Sequence, residues 1–289
     1  MYKLHYKTCK FECPDIGLKY ISFWHNMTSF AFNNYKNLSM KKLLLSIFVV
    51  IGLLQLNAQN KQPVVKVYGL PLDTLKSMVH KHPKYFDHLK NKWLKTPAKM
   101  TADDMMLLYY GSAFMHGYNP VKEDKAVENI AKLIGEMDFG TAITEGKKLL
   151  QVYPLNARLR MLLGYAHKKT GEKTASKYYY KTYGDILRIP LYSGSGKNFD
   201  NAFKVRIVSD EYLILNQKDL ELVQQEVRFN NKYPFDVLLV KPKSYDNKRM
   251  KKLPKEKLYF NIYLPYFIGQ SKTYKELQEE AKRKYKISN

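Results

Sequence analysis

Cysteine is nearly absent from this sequence. Of 289 residues only Cys9 and Cys13 carry thiols, and residues 59–289 contain none. A disulfide framework, a thiolate metal site and a lipid-modified cysteine are therefore excluded beyond residue 58. Arginine is also scarce, at seven of 49 basic side chains. Because arginine is the side chain suited to bidentate recognition of phosphate and guanine, its scarcity disfavours nucleic acid as a partner. The longest apolar run, Leu43–Leu54, spans twelve residues. A membrane-spanning helix needs about 20. There is no nucleophile elbow, no Ser-His-acid set that can be defended, and no motif that calls for a cofactor or metal.

Positive charge, by contrast, is plentiful, with a formal net charge of +23. Residues 1–58 hold seven lysines and two acids, which leaves 42 basic and 24 acidic side chains in residues 59–289. Such a field favours anionic partners, either an acidic polymer or lipid headgroups. Abundant lysine, asparagine, tyrosine and isoleucine are equally the signature of an AT-rich coding sequence.

Met40-Lys41-Lys42, the Leu43–Leu54 run and Ala58 have the layout of a secretory signal: a basic start, a short apolar core and a small residue before a cut. On this reading translation starts at Met40, and residues 1–39 are an over-extension without convincing periodicity. The expected product is periplasmic or secreted and not a lipoprotein.

From Leu72 to Leu187 apolar residues recur at helical spacing. Two short helices separated by Pro83 are expected over Leu72–Leu94. Thr101-Ala-Asp-Asp104 is a helix start, with a threonine cap and acids in the first turn, and the helix it opens runs to the neighbourhood of Gly117. Further helices are expected at Lys122–Gly135, Phe139–Val152, Asn156–Lys169 and Glu172–Leu187. Asp138-Phe139-x-x-Ala142 and Glu172-Lys173-x-x-Ser176 lie 34 residues apart, the tetratricopeptide period. Gly164 and Ser176 are small residues placed where one helix of such a hairpin would approach the next.

At Tyr183–Asn216 the spacing shifts from three-to-four toward two, and a helical half (residues 59–190) meets a β half (residues 191–289). Alternation over Ala202–Ile207, Tyr212–Leu215, Val223–Phe229 and Leu258–Leu264, with the apolar run Phe235–Val240, predicts about five strands in a mostly antiparallel sheet. Lys241–Lys257 reads as a basic loop and Ser271–Tyr285 as a polar terminal helix. The expected class is α+β: tetratricopeptide-like helical hairpins, then a sheet and a C-terminal helix.

Ser193-Gly-Ser-Gly-Lys197 resembles a phosphate loop only superficially. Leu191 stands where the first glycine is required, and Asn198 replaces the magnesium-binding hydroxyl. Gly194 and Gly196 are expected to reverse the chain, with Lys197 beside them. Asp210 and Glu211, read as neighbours on a strand, would point to opposite faces, with Asp210 capping a hairpin turn. His80, His82 and His88 are expected at the surface, since their spacing is poor for a metal.

Leu108-Tyr-Tyr-Gly111, Tyr118-Asn-Pro120, Pro154-Leu-Asn156, Ser193-Gly-x-Gly196, Ala202-Phe203 and Asp210-Glu-Tyr212 resemble, in order, a bacterial family catalogued as domain of unknown function 4919. The resemblance spans about Leu72–Pro265. It implies an exported protein with a helical half and a β half, and no established activity. Its pattern carries an acid between the two glycines, where this chain has Ser195. Candidate binding residues are Tyr109, Tyr110, Tyr118, Gly194, Gly196, Lys197, Asp210, Glu211 and Tyr212. The expectation is a monomeric, non-enzymatic module for a protein or peptide of the cell envelope. The second reading is docking on anionic polymer or membrane, and the third a hydrolase using Asp210, Glu211 or His116.

Overall fold

The computed structural model describes residues 66–231, 233–243 and 254–285. The signal segment, the proposed start at Met40 and most of the Lys241–Lys257 loop lie outside them.

The described chain opens with a small antiparallel hairpin, β1 (Lys66–Val67) and β2 (Leu70–Pro71). Tyr68 and Gly69 both have positive φ, as a two-residue turn matching strand twist requires. Helices α1 (Leu72–Lys81) and α2 (Pro83–Lys95) follow, with Pro83 at the start of α2, where its missing N–H costs nothing. Helix α3 (Ala102–Gly111) has the predicted cap. The Thr101 hydroxyl accepts from the Asp104 amide at 3.0 Å, and the Asp104 carboxylate accepts from the Thr101 amide.

Helices α4 (Pro120–Gly135), α5 (Phe139–Val152), α6 (Ala157–Lys169) and α7 (Lys173–Tyr192) are joined by short turns and pack in succession. Asn119, Asp138 and Asn156 cap the first three through side-chain oxygens. The small residues allow close approach. The Ser176 hydroxyl of α7 donates to the Gly164 carbonyl of α6 at 2.8 Å, and a Cβ on Gly164 would stand 3.1 Å from the Tyr180 ring. Helix α7 runs past the expected stop at Leu187 to Tyr192. Pro190 falls in its last turn, where the Ser193 amide and hydroxyl close on the Pro190 carbonyl.

The sheet is smaller than expected and is mixed. Four strands are ordered β3-β6-β5-β4: β3 (Phe203–Lys204), β4 (Leu220–Asn230), β5 (Tyr233–Pro242) and β6 (Glu256–Asn261). The β4–β5 and β5–β6 pairs are antiparallel, and the short β3 runs parallel to β6. The main correction concerns Tyr212–Leu215. This segment is not a strand but the middle of helix α8 (Ser209–Gln217). Tyr-Leu-Ile-Leu is apolar at every position, so it has no true alternation, and Ser209-Asp210-Glu211 places acids in a first turn, where a helix dipole favours them. The expected strand end at Leu264 is likewise a helical turn of π type over Leu264–Ile268, and α9 (Tyr274–Tyr285) is the terminal helix.

One apolar core runs from Val67 to Leu264 and includes Trp93, Tyr109, Tyr110, Phe203 and Phe260. The two halves therefore share an interior. A smaller cluster, including Val127, Ala142, Leu159 and Leu163, holds α4–α7 together.

Candidate functional site

The conversion of Ser209–Gln217 into a helix changes what its acids do. Asp210 and Glu211 are both buried, at 1% and 0% exposure, so the expectation of a turn cap is corrected. Successive residues on a helix lie about 100° apart, so the two carboxyls still diverge.

Asp210 turns toward the helical half. It accepts a 2.5 Å hydrogen bond from the Tyr109 hydroxyl on α3. That hydroxyl in turn accepts from the Arg206 amide at 3.1 Å. The Arg206 guanidinium grips Glu123 of α4 with both arms, Nη1–Oε2 at 3.0 Å and Nη2–Oε1 at 2.7 Å. Glu123 also accepts from Asn156 Nδ2 at 2.9 Å, while Asn156 Oδ1 caps α6. The Tyr118 hydroxyl donates to the Arg206 carbonyl and the Tyr110 hydroxyl to the Lys204 carbonyl. The Arg206 guanidinium also lies 5.8 and 5.9 Å from the rings of Tyr109 and Tyr118.

These groups titrate as their surroundings dictate. Burial pushes Asp210 up to about 7, opposed by Arg206 and by the Tyr109 hydrogen bond and reinforced by the nearby Glu123 and Asp124. Burial also raises Tyr109, Tyr110 and Tyr118. For Arg206 burial works against the charge, but Glu123 more than offsets it and holds the guanidinium ionised.

Glu211 turns the other way, toward Asp236 on β5, also fully buried. Burial and the Asp236 charge lift Glu211 well above the ordinary glutamate range. Two carboxylates at such a contact oppose each other's ionisation, which adds to the effect of burial on Glu211. Asp236 accepts from Gln225 Nε2 at 2.9 Å, and Gln225 Oε1 accepts from the Tyr212 hydroxyl at 2.8 Å.

The glycine turn is packed rather than open. Gly196 has φ +72 and lies against the Phe203 ring, so any side chain there would be both strained and blocked. Gly194 has no room: a Cβ would meet the Asn201 and Ala202 carbonyl oxygens at 2.4 and 2.5 Å. Lys197 is exposed, and Ser195 is exposed with its Oγ 3.4 Å from the Lys197 amide. The ammonium that serves the turn belongs to Lys204, which donates to the Ser193 and Ala202 carbonyls at 2.9 and 3.2 Å.

Of the nine candidate residues, Tyr109, Tyr110, Tyr118 and Asp210 thus fasten the halves together, Glu211 and Tyr212 turn toward the sheet, Gly194 and Gly196 are packed in the turn and Lys197 is exposed; they do not converge on one cavity. Sequence reasoning missed Arg206, Glu123, Asn156 and Asp236. A signal existed for the first of these: in a lysine-dominated chain, Arg206 stands between the apolar Val205 and Ile207. His80, His82 and His88 are exposed, and among the described residues no group of three or more histidines and acids could hold a metal.

Two concave sites flank this seam. A groove of about 510 Å³ runs between the α2–α3 connection and α7, with Trp93, Met100, Met105, Met106 and Ile189 along its apolar surface. Tyr68 and Tyr192 stand at its edge, 48% and 72% exposed. Asp185, also on its rim, is bonded to Lys181 at 2.7 Å and to Arg188 at 3.3 Å. A second cavity of about 400 Å³ opens beside the N-terminus of α4, and Arg206 and Glu123 contribute to its wall. Asp210 and Glu211 line neither, whereas His116 lies on the second.

Residues 74–266 match the model of the family described as Domain of unknown function (DUF4919). The chain belongs to that family. The DUF4919 match begins inside α1 and ends in the turn after β6, so it takes in the whole tyrosine–arginine–carboxylate seam and the walls of both concave sites except for Tyr68. Comparisons with curated proteins and with solved structures gave no match.

Proposed function

We propose that this DUF4919 protein is an exported, non-catalytic module that binds an apolar peptide segment of an envelope protein in the Tyr68–Tyr192 groove. The observation that carries the reading is the chemistry of that groove. Partly exposed Met100 and Met106, laid over the buried Trp93, Met105 and Ile189, offer an apolar, adaptable bed, and two exposed tyrosines flank it. Methionine-rich surfaces repack around varied partners, and half-exposed tyrosines supply contact area at little conformational cost. Lys181, Asp185 and Arg188 on the rim are already paired with one another, which leaves Asp103 as the rim charge without an ion pair among the described residues. Asp138–Ala142 and Glu172–Ser176 recur at the tetratricopeptide period, and folds of that kind bind peptide segments; the spacing supports the reading by analogy. The Met40–Ala58 pattern supports export.

Panning a random peptide display library on the purified protein tests the binding role. Apolar sequences should be enriched on the wild type and lost on Met106→Asp and Tyr192→Ala. Enrichment of acidic sequences that wash off in high salt would favour docking on anionic polymer instead. Enrichment unchanged by both substitutions would refute the groove. N-terminal sequencing of the exported product tests the compartment: a product starting at Met1 contradicts it.

A further inference from the structure

We propose that the cavity beside the N-terminus of α4 is a second binding site, specific for the carboxylate of a small apolar acid. One part of the wall is apolar, built by Leu108, Met115, Val152, Pro154 and Leu155, and Ser112, His116 and Asn119 add neutral polar groups beside it. Three permanent cations also line it, Lys90, Lys122 and Arg206, against a single acid, Glu123. Glu123 is not available to an incoming cation, because both its oxygens already accept from Arg206 and one also from Asn156. Neither Lys90 nor Lys122 has an acidic partner among the described residues, so the lining keeps an excess of positive charge.

A second observation points the same way. Arg206 is 3% exposed, and its Nε–H is a buried donor with no acceptor in the protein. Such a donor is costly to leave unmade, and the structure supplies no protein oxygen for it. Uncompensated lysines over an apolar cavity select an amphipathic anion: the charge is held by the ammonium groups and the body by the walls. The volume suits a ligand of small-molecule size. The carboxylate could belong to a free organic acid or to the C-terminus of a peptide; the chemistry of capture is the same. This site shares no residue with the Tyr68–Tyr192 groove and stands or falls independently of it.

Titration calorimetry of the purified protein with octanoate, N-acetyl-phenylalanyl-leucine and the amide of that dipeptide tests the proposal. At least one acid should bind, the dipeptide acid or octanoate according to source, and the amide about tenfold more weakly than the dipeptide acid if a peptide terminus is the natural ligand. If octanoate alone binds, octanol should show the same weakening. Lys90→Gln together with Lys122→Gln, both surface changes compatible with folding, should weaken the binding acid about tenfold and flatten its salt dependence. Equal binding of acid and neutral analogue, binding unaffected by the lysine changes, or no heat from either acid at about 10 mM, about ten times the Kd of a weak, 1 mM site, would overturn it.

Discussion

Asp210→Asn should make the protein more stable at pH 8 and leave it nearly unchanged at pH 4. In the folded chain Asp210 rises from its ordinary 3.8 to about 7, chiefly because it is buried. The sign follows from linkage. Below the unfolded value of 3.8 both states carry the proton, and nothing is lost. Between 3.8 and about 7 the unfolded chain releases its proton while the folded one keeps it, so stability falls as pH rises. Above about 7 the cost is complete. One pH unit is worth 1.36 kcal/mol, so the full cost is about 4 kcal/mol. Asparagine imitates the protonated acid: its carbonyl can accept from the Tyr109 hydroxyl, and it has no proton to lose. Urea unfolding of both proteins at pH 4.5, 6 and 8 would show the difference. Glu211 is buried in both proteins, and because the Asp210 charge also helps to raise it, Asp210→Asn relieves Glu211 in the same direction and adds to the gain at high pH. A stability difference constant across this range would mean that Asp210 ionises normally and that the buried description of the seam is wrong.

Other consequences can be checked on the same scale. Glu123→Ala strands the Arg206 charge in the interior and should cost about 3–5 kcal/mol, whereas combining it with Arg206→Met should cost less than the two single changes together. Gly194→Ala should destabilise strongly, because the obstructing atoms are backbone carbonyls that cannot turn aside. Gly140→Ala, with open space around it within α5, should stabilise by about 0.5–1 kcal/mol; thermal melts of the pair give the contrast. Removing the α3 cap with Thr101→Ala should cost about 1 kcal/mol, measured by urea unfolding.

The helical half was legible because its signals are local. Caps at Thr101, Asn119, Asp138 and Asn156 lie next to the helices they start, and glycine or proline separates the segments. The C-terminal side was harder. Val223–Phe229 and Phe235–Val240 became paired strands, as alternation and an apolar run predict. Tyr212–Leu215 misled because an all-apolar run fits a buried helix as well as a strand, and only length and the Ser-Asp-Glu start could arbitrate. Pro190 acted differently from expectation: it removes the one amide that would pair with the Ile186 carbonyl, but so near the end of α7 that the loss falls on the final turn and the helix runs on only to Tyr192. The seam itself was half visible. Its tyrosines and acids stood out, but their partners are fixed by tertiary packing across 83 to 101 residues, which no local pattern records.

The binding role can be tested most directly through Trp93. The sequence has two tryptophans, Trp24 and Trp93. The exported product proposed above, cut after Ala58, carries Trp93 alone, buried beneath the groove, held by a 2.8 Å hydrogen bond to the Pro154 carbonyl and with the Arg160 guanidinium 4.7 Å from its ring. Titrating a peptide selected on the wild type should change Trp93 emission saturably, and Met106→Asp should abolish the change while the protein stays folded. Peptide binding that survives Met106→Asp would contradict the groove as the binding site.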